Sequence, residues 1–186
     1  MIVMNLIQIL LLFILFVLLL GVVVFHIYMI YSFLNSSRLA PYVPSPTRDL
    51  ENIIWNFEMD KWKHLVDLWC GDGKALRFFQ RNFGVKCDGF DINIFPLWYG
   101  RLVNKMLWYK NISLIWKNFL KVDLAKYDYV YLYLLTEQLA DIEDWIFWNI
   151  KISTVVITNT FRFKDKVPFK IIKNRKGKDR IFFYKV

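Results

Sequence analysis

The 186-residue chain carries 25 Lys and Arg against 16 Asp and Glu, a formal net charge of +9, and is 56% hydrophobic. That length accommodates one ordinary domain and a short accessory segment but not two full domains, and that apolar content argues against an intrinsically disordered chain. The two cysteines, Cys70 and Cys87, form no CxxC pair and stand away from His26 and His64, which argues against a structural zinc site and a disulfide scaffold.

The first 37 residues contain no Lys, Arg, Asp or Glu. Within them Ile9 to Tyr31 is an apolar run interrupted only by Gly21 and His26, long enough as a helix to cross a hydrocarbon core of about 30 Å. It lacks a basic leading region and a small-residue cleavage site, so residues 1–34 read as a retained membrane anchor rather than a signal peptide. Arg38, Arg48, Lys61 and Lys63 follow the run, and this bias predicts a single-pass membrane protein with its C-terminal domain in the cytoplasm. Residues 35–47 read as a linker, with Pro41, Pro44 and Pro46 favouring an extended path. Residues 48–186 form the globular part.

Thr47 reads as the N-cap of a helix with Asp49 and Glu51 in its first turn and Leu50, Ile53, Ile54 and Phe57 on one face, ending before Lys63. His64–Trp69 is a buried-strand pattern, Cys70-Gly-Asp-Gly73 a tight turn, and Lys74–Asn82 a helix stopped by Gly84. Val85–Asp91 is a second strand, and Pro96 occupies the first position of a third helix running to about Tyr109. Strands follow over Ile112–Trp116 and Tyr127–Leu134, then a helix over Thr136–Asn149 and a strand over Ile152–Thr158. Val167–Lys173 and Arg180–Val186 form a terminal hairpin. The alternation predicts an α/β fold: a Rossmann-like, doubly wound, mostly parallel sheet with a C-terminal antiparallel hairpin, preceded by one transmembrane helix.

Arg162 to Lys185 holds ten basic residues against Asp165 and Asp179. This stretch reads first as a plain solvated hairpin, with anionic lipid headgroups as its alternative partner; nucleic acid is not expected.

In an open parallel sheet, ligands bind beyond the carboxyl ends of the strands. The first strand-to-helix turn here is Val66-Asp-Leu-Trp-Cys-Gly-Asp-Gly-Lys74. It has neither the GxxxxGK[ST] of a phosphate loop nor a third glycine for a dinucleotide turn. Asp67 and Asp72 would repel an anion and attract an ammonium or sulfonium, and S-adenosylmethionine carries both. Its amine would meet Asp67 or Asp72, and the backbone at Gly71 and Gly73 would approach it closely. Asp91, ending the second strand, is placed to hydrogen-bond ribose hydroxyls. Asn118, after the third strand, is placed to accept from the adenine amine. Ile92 and Phe119 adjoin these two and complete the predicted cofactor contacts.

Asp-Leu-Trp-Cys-Gly-Asp-Gly-Lys resembles motif I of the class I S-adenosylmethionine-dependent methyltransferases. Pro41-Tyr-Val-Pro-Ser-Pro46 after an apolar span, Gly89-Phe-Asp-Ile-Asn93, Trp116-Lys-Asn-Phe119 and Asp123-Leu-Ala-Lys-Tyr-Asp-Tyr-Val130 resemble, in order over about residues 40–162, the membrane-anchored lysine methyltransferases typified by the enzymes of ATP synthase c-subunit and adenine nucleotide translocase. The resemblance implies a protein-lysine N-methyltransferase acting on a membrane-associated protein. It implies that Pro44, Ser45 and Thr136 border the acceptor amine, and Tyr42 and Glu137 are the candidates to orient it. Two positions depart from the family: Trp69 replaces the loop's first glycine, where its bulk would crowd the cofactor, and Thr136-Glu137 replaces a Pro-Glu pair. The alternative is a membrane-anchored, methyltransferase-like scaffold without chemistry. A small-molecule or lipid methyltransferase is a third reading.

Overall fold

The computed structural model describes residues 5–35 and 43–185, with side chains omitted at 29 and 31–35. Most of the predicted linker, and Tyr42 with it, lies outside the described residues. The chain divides into two units, 1–41 and 42–186.

The first unit is one helix, α1 (Leu6–Asn35), of which Leu6–Tyr28 is long and apolar enough to cross a membrane. Asn5 and Gln8 cap its start reciprocally: Gln8 N–H donates to Asn5 Oδ1 at 2.9 Å and Asn5 N–H to Gln8 Oε1 at 3.0 Å. His26 Nδ1 donates to Val22 O one turn back at 2.8 Å. This ring nitrogen is therefore satisfied within its own helix.

The second unit is built on seven strands: β1 (His64–Asp67), β2 (Lys86–Asp91), β3 (Ile112–Trp116), β4 (Tyr129–Leu132), β5 (Val155–Asn159), β6 (Lys170–Lys173) and β7 (Asp179–Lys185). Their order is β3-β2-β1-β4-β5-β7-β6. β1 to β5 pair in parallel, and β7 runs antiparallel between β5 and β6. The terminal hairpin thus joins the sheet as predicted, but its second strand enters first, against β5. The chain winds outward from β1 to β3 and then crosses back to β4, which puts the switch in strand order at β1 and β4.

Helices α2 (Thr47–Asn56), α3 (Lys74–Phe83) and α4 (Ile94–Met106) pack on one face of the sheet. α2 and α3 turn Leu50, Ile53, Leu76 and Phe79 onto Leu65, Tyr131 and Phe183. α5 (Thr136–Asn149) lies on the other face, where the Phe147 ring meets Phe163 at 5.3 Å and Tyr184 at 6.3 Å. Phe183 and Tyr184 serve opposite layers because successive strand side chains alternate.

Several elements are shorter than their apolar runs. β1 stops at Asp67 because the Asp67 carboxylate takes the Trp69 N–H and starts the turn two residues early. β5 starts at Val155, after Thr154 N–H closes a turn onto Lys151 O. Thr47 is the first helical residue of α2, with Pro46 flanking it and no side-chain cap. Asn93 caps α4 through its side chain, so Pro96 is the helix's third residue.

Gly100, on the inner face of α4, is where the helix comes closest to the β1–α3 turn. A Cβ there would collide with the Asp72 carbonyl oxygen and stand 2.7 Å from Leu114 Cδ1. Backbone cannot yield as a side-chain end can, so we expect Gly100→Ala to destabilise the fold by about 1–3 kcal/mol. Chemical denaturation followed by tryptophan fluorescence measures this, and an unchanged midpoint would show that α4 can lift off at no cost.

Candidate active site

The tips of β1 and β2 bring two carboxylates to the turn that enters α3. Gly71 (φ 54°) and Gly73 (φ 76°) both occupy the left-handed region, which only glycine adopts without strain. A Cβ on Gly73 would also stand 2.8 Å from Leu114 Cδ2. This backbone path turns the Gly71 N–H onto Asp91 Oδ2 at 2.8 Å, while Asn93 N–H donates to Asp91 Oδ1 at 2.7 Å. Asp91 therefore faces the glycine turn.

Asp67 is 4% exposed, and its only hydrogen bond among the described residues is from Trp69 N–H at 3.1 Å. No cation among the described residues pairs with it. Burial pushes its carboxyl up to about 7, the Trp69 N–H counteracts part of that, and the charges of Asp91 and Asp72 add to it. Burial also raises Asp91, against the opposing N–H groups of Asn93 and Gly71.

Asp72, the other carboxylate the sequence offers to an ammonium, has partners within the chain. Its carboxylate pairs with Arg77 at 2.7 Å and accepts Lys74 N–H at 3.0 Å, and Arg77 also donates to the Asp72 carbonyl at 2.5 Å and to Asn104 Oδ1 at 3.3 Å. That charge is paired from within, whereas Asp67 has no cation paired with it among the described residues.

The Val-Pro-Ser-Pro segment is tied over the same strand ends. Ser45, 7% exposed, holds the Tyr131 hydroxyl at 2.9 Å, and its carbonyl accepts Lys74 Nζ at 2.9 Å. Asn159 Nδ2, at the end of β5, donates to the Tyr131 oxygen at 3.1 Å. Tyr131 sits beside Asp67 in the β1–β4 register, and burial pushes its phenol well up, so it stays protonated. Lys74, Tyr131 and Asn159 escape the sequence reading. Tyr131 lies in a continuous apolar run that reads as core, and Asn159 follows the residue at which the strand is predicted to end.

Among the remaining predicted residues, Pro44, Thr136 and Glu137 are exposed, the last two in the first turn of α5 beyond β4. Gln138 caps that turn, accepting Leu135 N–H at 3.3 Å. Asn118 is exposed, and its Oδ1 accepts Leu120 N–H at 3.0 Å, capping a short 3-10 turn over Phe119–Lys121. One lone pair of the expected adenine acceptor is thus already used. Ile92 is 38% exposed, and its carbonyl accepts Trp116 Nε1 at 2.9 Å. The Ile92 N–H joins those of Asn93 and Gly71 in opposing the rise at Asp91, whereas Pro44, Asn118, Thr136 and Glu137 make no hydrogen bond to Asp67 or Asp91 among the described residues.

Trp69 does not take a positive φ, so the backbone at this position has no need of the family's glycine. Its ring packs on Phe119 at 5.1 Å, and Phe119 packs on Trp145 at 5.5 Å. These rings form an aromatic row over Phe119, which is left 7% exposed.

Comparison with known proteins agrees with this arrangement. The ANTKMT methyltransferase domain matches residues 67–170, starting at Asp67 itself. A protein-lysine N-methyltransferase of Saccharolobus islandicus (strain REY15A) is 25% identical over 139 residues, covering 74% of this chain and 86% of the relative. An RNA methyltransferase from Salinibacter ruber, solved with S-adenosyl-L-homocysteine, shares the fold with a TM-score of 0.71 at 20% identity, over 77% of this chain and 93% of that one. A SAM-dependent methyltransferase from Geobacter sulfurreducens, solved with the same ligand, superposes with a TM-score of 0.57 at 15% identity, over 70% and 54% of the two chains. With more than half its length matched, the chain belongs to the ANTKMT methyltransferase domain family and is a class I S-adenosylmethionine-dependent methyltransferase.

Proposed function

We propose that this protein methylates a lysine side chain of a membrane-associated protein, with α1 as its single-pass anchor and the catalytic unit on the cytoplasmic side. The observation that carries the reading is the buried Asp67, with no cation paired to it among the described residues, beside Asp91 and the Gly71–Gly73 turn. A carboxylate held from water without a counter-charge suits a cationic ligand. The donor set fits S-adenosylmethionine: Asp67 for its ammonium, Asp91 for its ribose hydroxyls, the N–H groups at the start of α3 for its carboxylate, and Ile92, Asn118 and Phe119 for its adenine. When bound, the cofactor supplies a methyl group activated by the sulfonium. The chain's part is to align an acceptor amine and to strip its water and proton. Glu137, with Thr136 at the mouth of the site, and Tyr42, just before the Pro44–Ser45 segment, are assigned to orient that amine. The name of the Saccharolobus relative supports lysine as acceptor, and α1 supports a membrane-associated substrate. The exposed Arg162, Lys164, Arg175, Lys176 and Lys178 are suited to anionic headgroups.

Removing the ribose partner should be costly: Asp91→Ala is expected to weaken S-adenosylmethionine binding at least tenfold, read by calorimetry on the full chain. Absence of binding by the unaltered protein at millimolar cofactor would reject the enzyme reading.

The raised carboxyl of Asp67 gives a pH signature. Between about pH 4 and 7 the folded state retains a proton that the unfolded chain has released, so folding stability contributed by this residue falls as pH rises through that window. A bound ammonium needs the ionised form, so cofactor affinity is expected to rise from about pH 6 to pH 7.5. Asp67→Asn should bind weakly with a flat profile over that range; a pH-independent affinity in the unaltered protein would remove Asp67 from the site.

For the acceptor, membranes incubated with labelled S-adenosylmethionine and this protein should yield label as N-methyl-lysine in a protein band. Label found only in the lipid fraction would replace lysine with a lipid acceptor.

A further inference from the structure

Helix α4 has two incompatible faces for a helix on a water-exposed surface. It turns Leu97, Gly100 and Asn104 inward. The opposite face, at steps of three and four, carries Trp98, Tyr99, Leu102 and Met106, which are 66%, 55%, 42% and 68% exposed. The helix then runs out into Leu107 and Trp108, 60% and 81% exposed. A surface helix of a soluble domain places polar side chains there.

Charge supplies the second observation. Residues 92–122 contain Arg101, Lys105, Lys110, Lys117 and Lys121 and no Asp or Glu. Arg101 is used internally, donating to Leu114 O at 2.9 and 2.7 Å. The four lysines are exposed. An outward face of Trp, Tyr, Leu and Met, within a stretch of exposed lysines and no acid, has the composition of a helix that lies in the interfacial layer of a bilayer.

We propose that the outer face of α4 inserts into the headgroup layer of an anionic leaflet, as a second membrane contact separate from α1. This rests on the anchor reading above. A second copy of the chain fits poorly as the occupant, because a self-complementary interface over α4 would set this acid-free basic stretch against itself. Anionic lipid satisfies both observations together: apolar rings enter the acyl boundary and lysines reach the phosphates. The α4 contact also has a positional consequence. α4 begins three residues after Asp91 and is 13 residues long, about 20 Å. Laid in the interface, it holds the edge of the site that carries Asp91 at the level of the headgroups, where a lysine of a membrane protein emerges from the bilayer.

The test uses the full chain in nanodiscs holding one copy each, in phosphatidylcholine with one-quarter phosphatidylglycerol. An environment-sensitive fluorophore is attached at Met106→Cys or, separately, Leu102→Cys, and nitroxide-labelled lipid is the quencher. Cys70 and Cys87 are buried, which limits background labelling. Leu18→Cys in α1 reports the anchor, and Asp144→Cys, exposed on α5 across the sheet, reports the aqueous side. The expected result is quenching at positions 102 and 106 at least half that at 18, none at 144, and a decrease of twofold or more at 102 and 106 when the anionic lipid is omitted. Quenching at 18 with none at 102 and 106 overturns the α4 contact and leaves the anchor standing. Absence of quenching at 18 removes the anchor and this inference with it. Equal quenching in neutral bilayers overturns the assignment of anionic lipid.

Discussion

The hydrogen bond from Gly71 N–H to Asp91 Oδ2 is the contact on which the site depends. It joins the β1–α3 turn to the tip of β2, and it exists only because Gly71 and Gly73 take a backbone path that other residues resist. With that turn in place, Asp67 and Asp91 are held out of water with backbone N–H groups as their hydrogen-bond partners. N–H dipoles offset only part of the cost of burying two carboxylates. Under the proposed reading, a bound cation offsets the remaining cost. Arg77, in the first turn of α3, is paired with Asp72 rather than with either of these carboxylates. Gly100 belongs to the same arrangement, since α4 can press against the Asp72 carbonyl only without a side chain there.

The sheet and the acidic turn were legible because their signals are local. Alternating strand and helix periods fixed the parallel core, and glycine spacing fixed the turn. β3 and α5 have the boundaries that their sequence predicts, since each is delimited by turn residues on both sides. Boundaries failed where a side chain competed with the ladder, as Asp67 does for the Trp69 N–H. They also failed at α4, where the Asn93 cap outranks Pro96 as a start signal.

The network that holds the predicted Ser45 is long-range. Ser45, Tyr131 and Asn159 are separated by 86 and 28 positions but share one buried hydroxyl. No periodicity marks them, because each looks ordinary in its own segment: a turn serine, a core tyrosine, a strand-end asparagine. Their network fixes Ser45 over the carboxyl ends of β4 and β5, which brings a segment the resemblance assigned to the acceptor next to the strand tips that hold Asp67. Trp69 shows the same limit in reverse. Its misfit with the family's glycine is visible in the sequence, but its resolution, packing onto Phe119 beside Trp145, needs residues from three separate elements.

Charge distribution connects the site to the proposed membrane setting. The chain is strongly basic overall, yet its candidate active site is walled by buried acids. The acids stand behind the tips of β1 and β2, so their field acts on whatever enters the site. The exposed lysines beyond Asp91 and along the β6–β7 hairpin act on whatever approaches from solution. Under the proposed reading, the phosphates of an anionic leaflet screen those lysines, and an amine presented there meets first the exposed Glu137 and then the buried Asp67, so the bilayer removes the repulsion while the acids supply the attraction.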